Sequence, residues 1–256
     1  MMLVSAAIVA ALAVAVSAKD PAEGWMGYAT GTNPNCGGDC KITYMEAKWV
    51  VPDNPTEPGA FFSPWFGIES SDNLNLIQPV NPWEGYSWSF YNEYFQWEPE
   101  YNRNSASFNT KAGHTLFGSV TYVASNQSYN VYHSDLNTGA SVSFSIPVQT
   151  GPDGNPKKFN IAYFVMEKSQ WQCAQYPPNN QVTFTDIKVE YDGAAVQPKW
   201  TTAFVDDNCN CRAHITNETS IQITWDSGAE ANPLLTAKQP MLLGAPAPRS
   251  LHAHKA

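Results

Sequence analysis

In Leu116-Phe117-Gly118-Ser119-Val120-Thr121-Tyr122 an apolar or small side chain recurs at every second position: Leu116, Gly118, Val120 and Tyr122. A strand sends successive side chains to opposite faces, so this alternation predicts a strand with one buried face. The same pattern returns downstream in Val142/Phe144/Ile146 and in Ile221/Ile223/Trp225. Val182/Phe184 and Ile187/Val189/Tyr191 also alternate, but out of phase with each other, which predicts a bulge near Asp186. Turn-forming stretches separate these runs: Asn137-Thr138-Gly139, Gly151-Pro152-Asp153-Gly154-Asn155-Pro156, Pro177-Pro178-Asn179-Asn180 and Asp192-Gly193. Almost nothing recurs at the helical period, and there is no internal repeat. Short alternating strands divided by turn residues predict an all-β sandwich or barrel.

Composition limits the partners. Charged residues make up 14% of the chain, against roughly 25% in ordinary globular domains, and aromatics reach 13%. The polar surface therefore relies on Asn, Ser, Thr and Tyr. A net charge of −9 excludes nucleic acid and anionic membranes as partners, because both require a basic face. It is compatible with work at low pH, where carboxylates lose their charge.

The two ends predict a secreted, extracellular protein. Residues 1–18 are nearly continuously apolar and end in Ser17-Ala18, with small residues at 16 and 18 that suit a signal peptidase; Lys19-Asp20 then opens the mature chain. The run is short for a membrane span. A sandwich domain is expected over 43–226, preceded by an N-terminal arm over 19–42 and followed by a disordered tail over 227–256. Five cysteines fit an oxidising compartment. Cys36 and Cys40 enclose a flexible loop that a disulfide closes, and Cys173 is expected to pair with either Cys209 or Cys211. Asn126-Gln127-Ser128 and Asn217-Glu218-Thr219 are N-glycosylation sequons. No histidine or further cysteine has metal-ligand spacing beside these cysteines, so no metal and no cofactor are expected.

The richest segment is Phe90-Tyr91-Asn92-Glu93-Tyr94-Phe95-Gln96-Trp97-Glu98-Pro99. On a strand, Tyr91, Glu93, Phe95 and Trp97 share one face, which reads as a core face interrupted by an acid. Asn92, Tyr94, Gln96 and Glu98 share the other, which reads as a polar and aromatic stripe along a wet groove.

Together with Trp65-Phe66-Gly67-Ile68-Glu69, Leu76-Ile77-Gln78 and Ala162-Tyr163-Phe164-Val165-Met166-Glu167, this segment resembles the eqolisin-type glutamic peptidases. The resemblance spans residues 45–191 with gaps. It implies a concanavalin-like antiparallel β-sandwich (jelly roll) with a glutamine–glutamate dyad. In such a dyad a carboxylate takes a proton from the attacking water, and an amide stabilises the oxyanion. Gln78 matches the glutamine. Tyr163 falls where the glutamate is expected, and a phenol with a pKa near 10 cannot serve as the base. Glu167 matches a second acidic position and is the candidate substitute acid, although four residues along a strand is roughly 13 Å. The family's Asp-x-Trp-x-Glu-x-Tyr stripe is placed on Asn92, Tyr94, Gln96 and Glu98, with Trp65 as a platform and Glu69 in place of an aspartate. Pro79-Val80 replaces the family's Thr-Gly after the glutamine.

These matches predict a catalytically weakened or inactive member that binds an extended polysaccharide or peptide along one continuous concave surface lined by Gln78, Trp65, Tyr94, Gln96, Glu98 and Tyr163. Aromatic rings stack on sugars and amides satisfy hydroxyls. One alternative is an active acid endopeptidase of the glutamic type. Another is a glycoside hydrolase using paired carboxylates from Glu69, Glu98 and Glu167.

Overall fold

The computed structural model describes residues 24–36, 39–168, 172–205 and 208–229. The expected signal peptide, residues 19–23 of the expected arm and residues 230–256 of the expected tail lie outside these. In chain order the strands are β1 (Trp25–Thr32), β2 (Ile42–Val50), β3 (Phe61–Ser70), β4 (Asn75–Val80), β5 (Trp83–Glu84), β6 (Trp88–Gln96), β7 (Arg103–Asn104), β8 (Phe108–Thr110) and β9 (Thr115–Val123). They continue with β10 (Ser128–Asp135), β11 (Ser141–Pro147), β12 (Phe159–Lys168), β13 (Gln181–Tyr191), β14 (Ala194–Ala195), β15 (Lys199–Ala203), β16 (Arg212–Asn217) and β17 (Ser220–Thr224).

They form two antiparallel sheets. The first, of nine strands, runs β15-β1-β12-β3-β4-β6-β5, with β7 and β8 attached to β6. The second, of eight, runs β11-β10-β9-β2-β13-β17-β16, with β14 attached to β13. The sandwich predicted from the alternation is therefore the observed architecture. Leu116 and Val120 of β9, Ile221 and Ile223 of β17 and Ile146 of β11 are all buried in the core between the sheets. The phase change in β13 is also present: pairing with β2 slips between Thr185 and Lys188, and Asp186 has φ 53°.

Two strand expectations need correction. The sandwich begins at β1, not at 43: β1 lies inside the first sheet between β12 and β15. Gly27 and Gly31 interrupt its apolar pattern, which is why the sequence there resembles an arm. The faces of β6 are also reversed. Phe90, Asn92, Tyr94 and Gln96 point between the sheets, whereas Tyr91, Glu93, Phe95 and Trp97 face outward, with Tyr91 and Trp97 joining a separate outer cluster. The inner amide nitrogens are satisfied there, while Asn92 Oδ1 is buried without a hydrogen-bond partner among the described residues. Asn92 Nδ2 donates to the carbonyls of Val131 (3.1 Å) and Val142 (3.2 Å) on the opposite sheet, and Gln96 Nε2 donates to Pro99 O (2.7 Å). A buried amide that bonds across the core costs little, so polarity at these positions does not mean water.

Cys36 is bonded to Cys40, and Cys173 to Cys209. The second bridge, with a sequence separation of 36, fixes the turn after β12 to the segment before β16. In the chain-entropy picture a loop of that size stabilises by roughly 3–4 kcal/mol. Cys211 is buried and lies outside both bridges.

Candidate active site

Strand pairing builds the site. Reading across the first sheet, Thr30 of β1 pairs with Tyr163 of β12, and Tyr163 with Gly67 of β3. Gly67 lies against Gln78 of β4, Gln78 pairs with Glu93 of β6, and Glu93 with Asn104 of β7. One row thus carries a phenol, a glycine, an amide and a carboxyl, on strands about 4.8 Å apart. The glycine is required: a Cβ at Gly67 would lie 2.4 Å from Ile77 O and 3.0 Å from Gln78 Cβ. Without a side chain there, Gln78 and Tyr163 flank an open backbone on the same face. The neighbouring row on one side is Ile161 and Glu69, and on the other Val165 and Trp65.

This outer face has its own apolar cluster, distinct from the core between the sheets: Trp25, Trp65, Leu76, Val80, Tyr91, Tyr163 and Val165, with Tyr28, Trp97 and Ile161 at its margin. Trp25 holds it together, meeting Tyr28, Trp65 and Tyr163 edge-on at centroid distances of 5.1–5.2 Å. Trp65, expected as a platform for substrate, is fully buried beneath it. Its indole Nε1 donates to Glu167 Oε2 at 2.8 Å. The half-exposed rings are Tyr28, Phe95 and Trp97, the last two in edge contact at 4.4 Å.

Three carboxyls occupy this face. Glu69 is buried, and burial raises its pKa to about 8 even though the Tyr163 phenol donates a hydrogen bond to it. Glu93 is half-exposed; burial first, and then the charge of Glu167, push it up to about 7, while a hydrogen bond from Gln78 Nε2 at 2.7 Å acts in the opposite direction. Glu167 is raised by burial, with the Trp65 bond opposing. Tyr163 is raised as well, by burial and by Glu69, so it stays a protonated phenol. The remaining amide oxygen, Gln78 Oε1, is buried without a hydrogen-bond partner among the described residues.

Of the residues expected to line the site, Gln78, Tyr163, Glu69, Glu167 and Trp65 share this face. Asn92, Tyr94 and Gln96 lie on its inner side, so they do not contribute to it. Glu98 sits exposed in the turn after β6. Glu93 is the residue missed. The sequence contains a signal for it: the stripe Asp-x-Trp-x-Glu-x-Tyr, moved three residues back, falls on Ser89, Tyr91, Glu93 and Phe95, and its glutamate becomes identical. A cavity of about 590 Å³ lies instead on the second sheet, lined by Lys41, Tyr44, Tyr122 and Glu190 among others.

A family model described as the Peptidase A4 family matches residues 23–225. The chain belongs to the Peptidase A4 family. The resemblance read from the four sequence blocks is therefore correct at the level of family. Among solved structures, scytalido-glutamic peptidase bound to a transition-state analogue inhibitor is 19% identical, with a TM-score of 0.59 over 79% of this chain and 98% of that one. SCP-B, described as a member of the eqolisin family of peptidases in complex with the tripeptide Ala-Ile-His, is 18% identical, with a TM-score of 0.56 over the same shares. At such identities the two show that this Peptidase A4 chain shares their fold. No curated protein matches it.

Proposed function

We propose that this Peptidase A4 protein is secreted, binds an extended chain along the outer face of its first sheet, and is catalytically weakened because a phenol stands where the family places its carboxylate. One observation carries the reading: Tyr163 lies across Gly67 from Gln78, on the same face, and is held protonated beside Glu69. Half-exposed Tyr28, Phe95 and Trp97 provide flat apolar surface for the ligand. Ring stacking suits sugars and peptide side chains alike. Two disulfides fit an oxidising compartment. Asn126 and Asn217 are exposed at hairpin turns, where a glycan would meet no core.

An acid endopeptidase of full activity requires a carboxylate at 163, which this chain lacks. The glycoside-hydrolase reading is weakened because one of its three acids, Glu98, sits exposed in the turn after β6 rather than on the strands that carry Glu69 and Glu167.

The test has two arms. Retention of the full chain on insoluble glycans and on immobilised denatured protein measures binding; retention on neither overturns the ligand reading. Tyr163→Glu measures the weakening. A general base is worth on the order of 10²–10⁴ in rate, and the other departures from the family place the expected gain in peptide hydrolysis at acid pH near the lower end. A folded Tyr163→Glu protein with unchanged hydrolysis would show that the phenol is not what limits the site.

A further inference from the structure

Gln78 has a carboxyl partner after all, on the strand opposite to Tyr163. Antiparallel pairing sets Gln78 of β4 against Glu93 of β6. Nε2 of Gln78 donates to Oε2 of Glu93 at 2.7 Å, and the other oxygen of Glu93 lies 3.3 Å from the Asn104 amide, which donates to it once its oxygen and nitrogen are exchanged. We propose that Glu93 is the base that works with Gln78, so that the outer face hydrolyses peptide bonds slowly through a Gln78–Glu93 pair. The inference rests on the reading above, in which the chain binds peptide and Tyr163 has displaced the usual carboxylate.

The geometry singles out Glu93 among the acids. Glu69 is 2% exposed and accepts the Tyr163 phenol. Glu167 accepts the Trp65 indole and lies four residues along β12 from Tyr163, away from the row that holds Gln78. Glu93 is in that row, half-exposed, and touches the amide directly. Gln78 has the complementary capacity. An amide nitrogen carries two hydrogens, and only one is engaged by Glu93. The second can donate to a substrate carbonyl oxygen.

The step balances without a co-reactant. The Glu93 carboxylate removes a proton from water as the water oxygen bonds to the scissile carbonyl carbon. The carbonyl π pair moves onto oxygen, where the second Nε2–H of Gln78 stabilises it. The C–N bond then breaks, the proton on Glu93 passes to the leaving nitrogen, and an acid and an amine are released.

Several groups face Glu93. From β12 Glu167 repels its charge, and from β4 Gln78 is neutral; β3 contributes Gly67 to this row, and from β7 Asn104 is neutral. Arg103, next to Asn104, lies against the Tyr101 ring, and Glu84 acts on neighbouring Tyr91. Among the described residues no cation pairs with Glu93 or Glu167. Hydrolysis through Glu93 therefore needs its ionised form and rises as pH increases through about 7, opposite to an acid enzyme.

The experiment assays the full chain on casein, a disordered protein, from pH 3 to pH 9, together with retention on immobilised casein. The expected result is slow cleavage with its lower limb near neutrality. Glu93→Gln, near-isosteric, should lose cleavage by about 10²–10⁴-fold while retaining casein. Glu167→Gln, by removing a like charge, should move the limb toward acid. Should Glu93→Gln fail to fold, Glu93→Asp should slow cleavage and keep the neutral limb. Wild type that is retained on casein yet inert at every pH overturns the inference and leaves the binding reading standing. So does cleavage undiminished in Glu93→Gln. Wild type neither retained nor active overturns both.

Discussion

The outer faces of the two sheets handle charge in opposite ways. On the second sheet acids meet bases: Lys48 contacts Asp186 at 3.0 Å and Lys188 contacts Glu46 at 2.6 Å, with both lysines well exposed. On the first sheet Glu69, Glu93 and Glu167 face aromatic rings, and among the described residues none of the three forms an ion pair. Counter-charges meet the carboxylates of the second face, where Asp186 is well exposed and Glu46 is 13% exposed. Burial raises all three acids on the first, and for Glu69 it outweighs the opposing charge of Lys157. A fold has no packing reason to gather three such groups beside an amide with an unsatisfied oxygen. Perturbed acids held together in this way are what proton-transfer chemistry needs, which supports the proposal that this face is the functional one.

The sharpest way to break the comparison is Trp65→Ala. If the first sheet's outer face is a built site, its floor is as firmly packed as a core. Trp65 is fully buried there against Trp25 and holds Glu167 through its indole. Loss of a buried Trp costs about 3–5 kcal/mol, a fall in Tm on the order of 10 °C for a domain of this size. Thermal unfolding by circular dichroism checks it. A change under about 2 °C would mean the face is a loose surface and the contrast between the sheets has been overdrawn.

Much of this is legible in the sequence, and the failures have physical causes. Alternation finds β9, β11 and β17 because each has one face in the core and one toward solvent, the condition under which period-two patterning is clean. It fails on β6 because both faces there are mostly buried. The inner face carries Asn92 and Gln96, whose amide nitrogens donate to carbonyls that no local pattern announces. The outer face carries rings that resemble a core. Polarity then points to the wrong side and sends Glu93 to the interior. Gln78, Glu69 and Tyr163 are singled out from motif spacing, which does not depend on reading which face is wet, and the three share one face. Trp25 and Tyr28 escape notice because Gly27 and Gly31 break the pattern of β1.

Stability against pH sharpens the comparison at intermediate size. Glu69 and Glu93 titrate near 8 and 7 in the folded chain and near 4.3 when unfolded. Between those values the folded state holds more protons than the unfolded one, so stability falls as pH rises. Their contribution is fully present below about pH 4 and is lost above about pH 8. Asp72 and Asp135, held down by hydrogen bonds that outweigh their burial, act the other way at lower pH. The expected Tm maximum is therefore near pH 4–5, below the usual range. A tenfold difference in proton affinity between the folded and unfolded states corresponds to about 1.4 kcal/mol, and the half-exposure of Glu93 reduces its share. Glu69→Gln should flatten the decline between pH 5 and pH 8. A Tm that is level or rising across that window in wild type would remove the electrostatic distinction between the faces.

The smallest expected effect comes from the second sheet. Lys188→Ala breaks the contact with Glu46, but the Lys188 side chain is 70% exposed, and exposed pairs are worth only about 0.2–1 kcal/mol. Lys188 gives up little desolvation when it pairs, and truncating it opens the 13%-exposed Glu46 side chain to water. Glu46 also accepts a hydrogen bond from the Tyr44 hydroxyl, so it is not left bare. The expected change in unfolding free energy is therefore below about 0.5 kcal/mol, shrinking further as salt screens the pair. Urea unfolding at low and moderate salt measures it. A loss above about 2 kcal/mol would place Glu46 in an environment as desolvated as that of Glu69. The aromatic surroundings of Glu69, Glu93 and Glu167, rather than their burial, would then be what sets the first sheet apart.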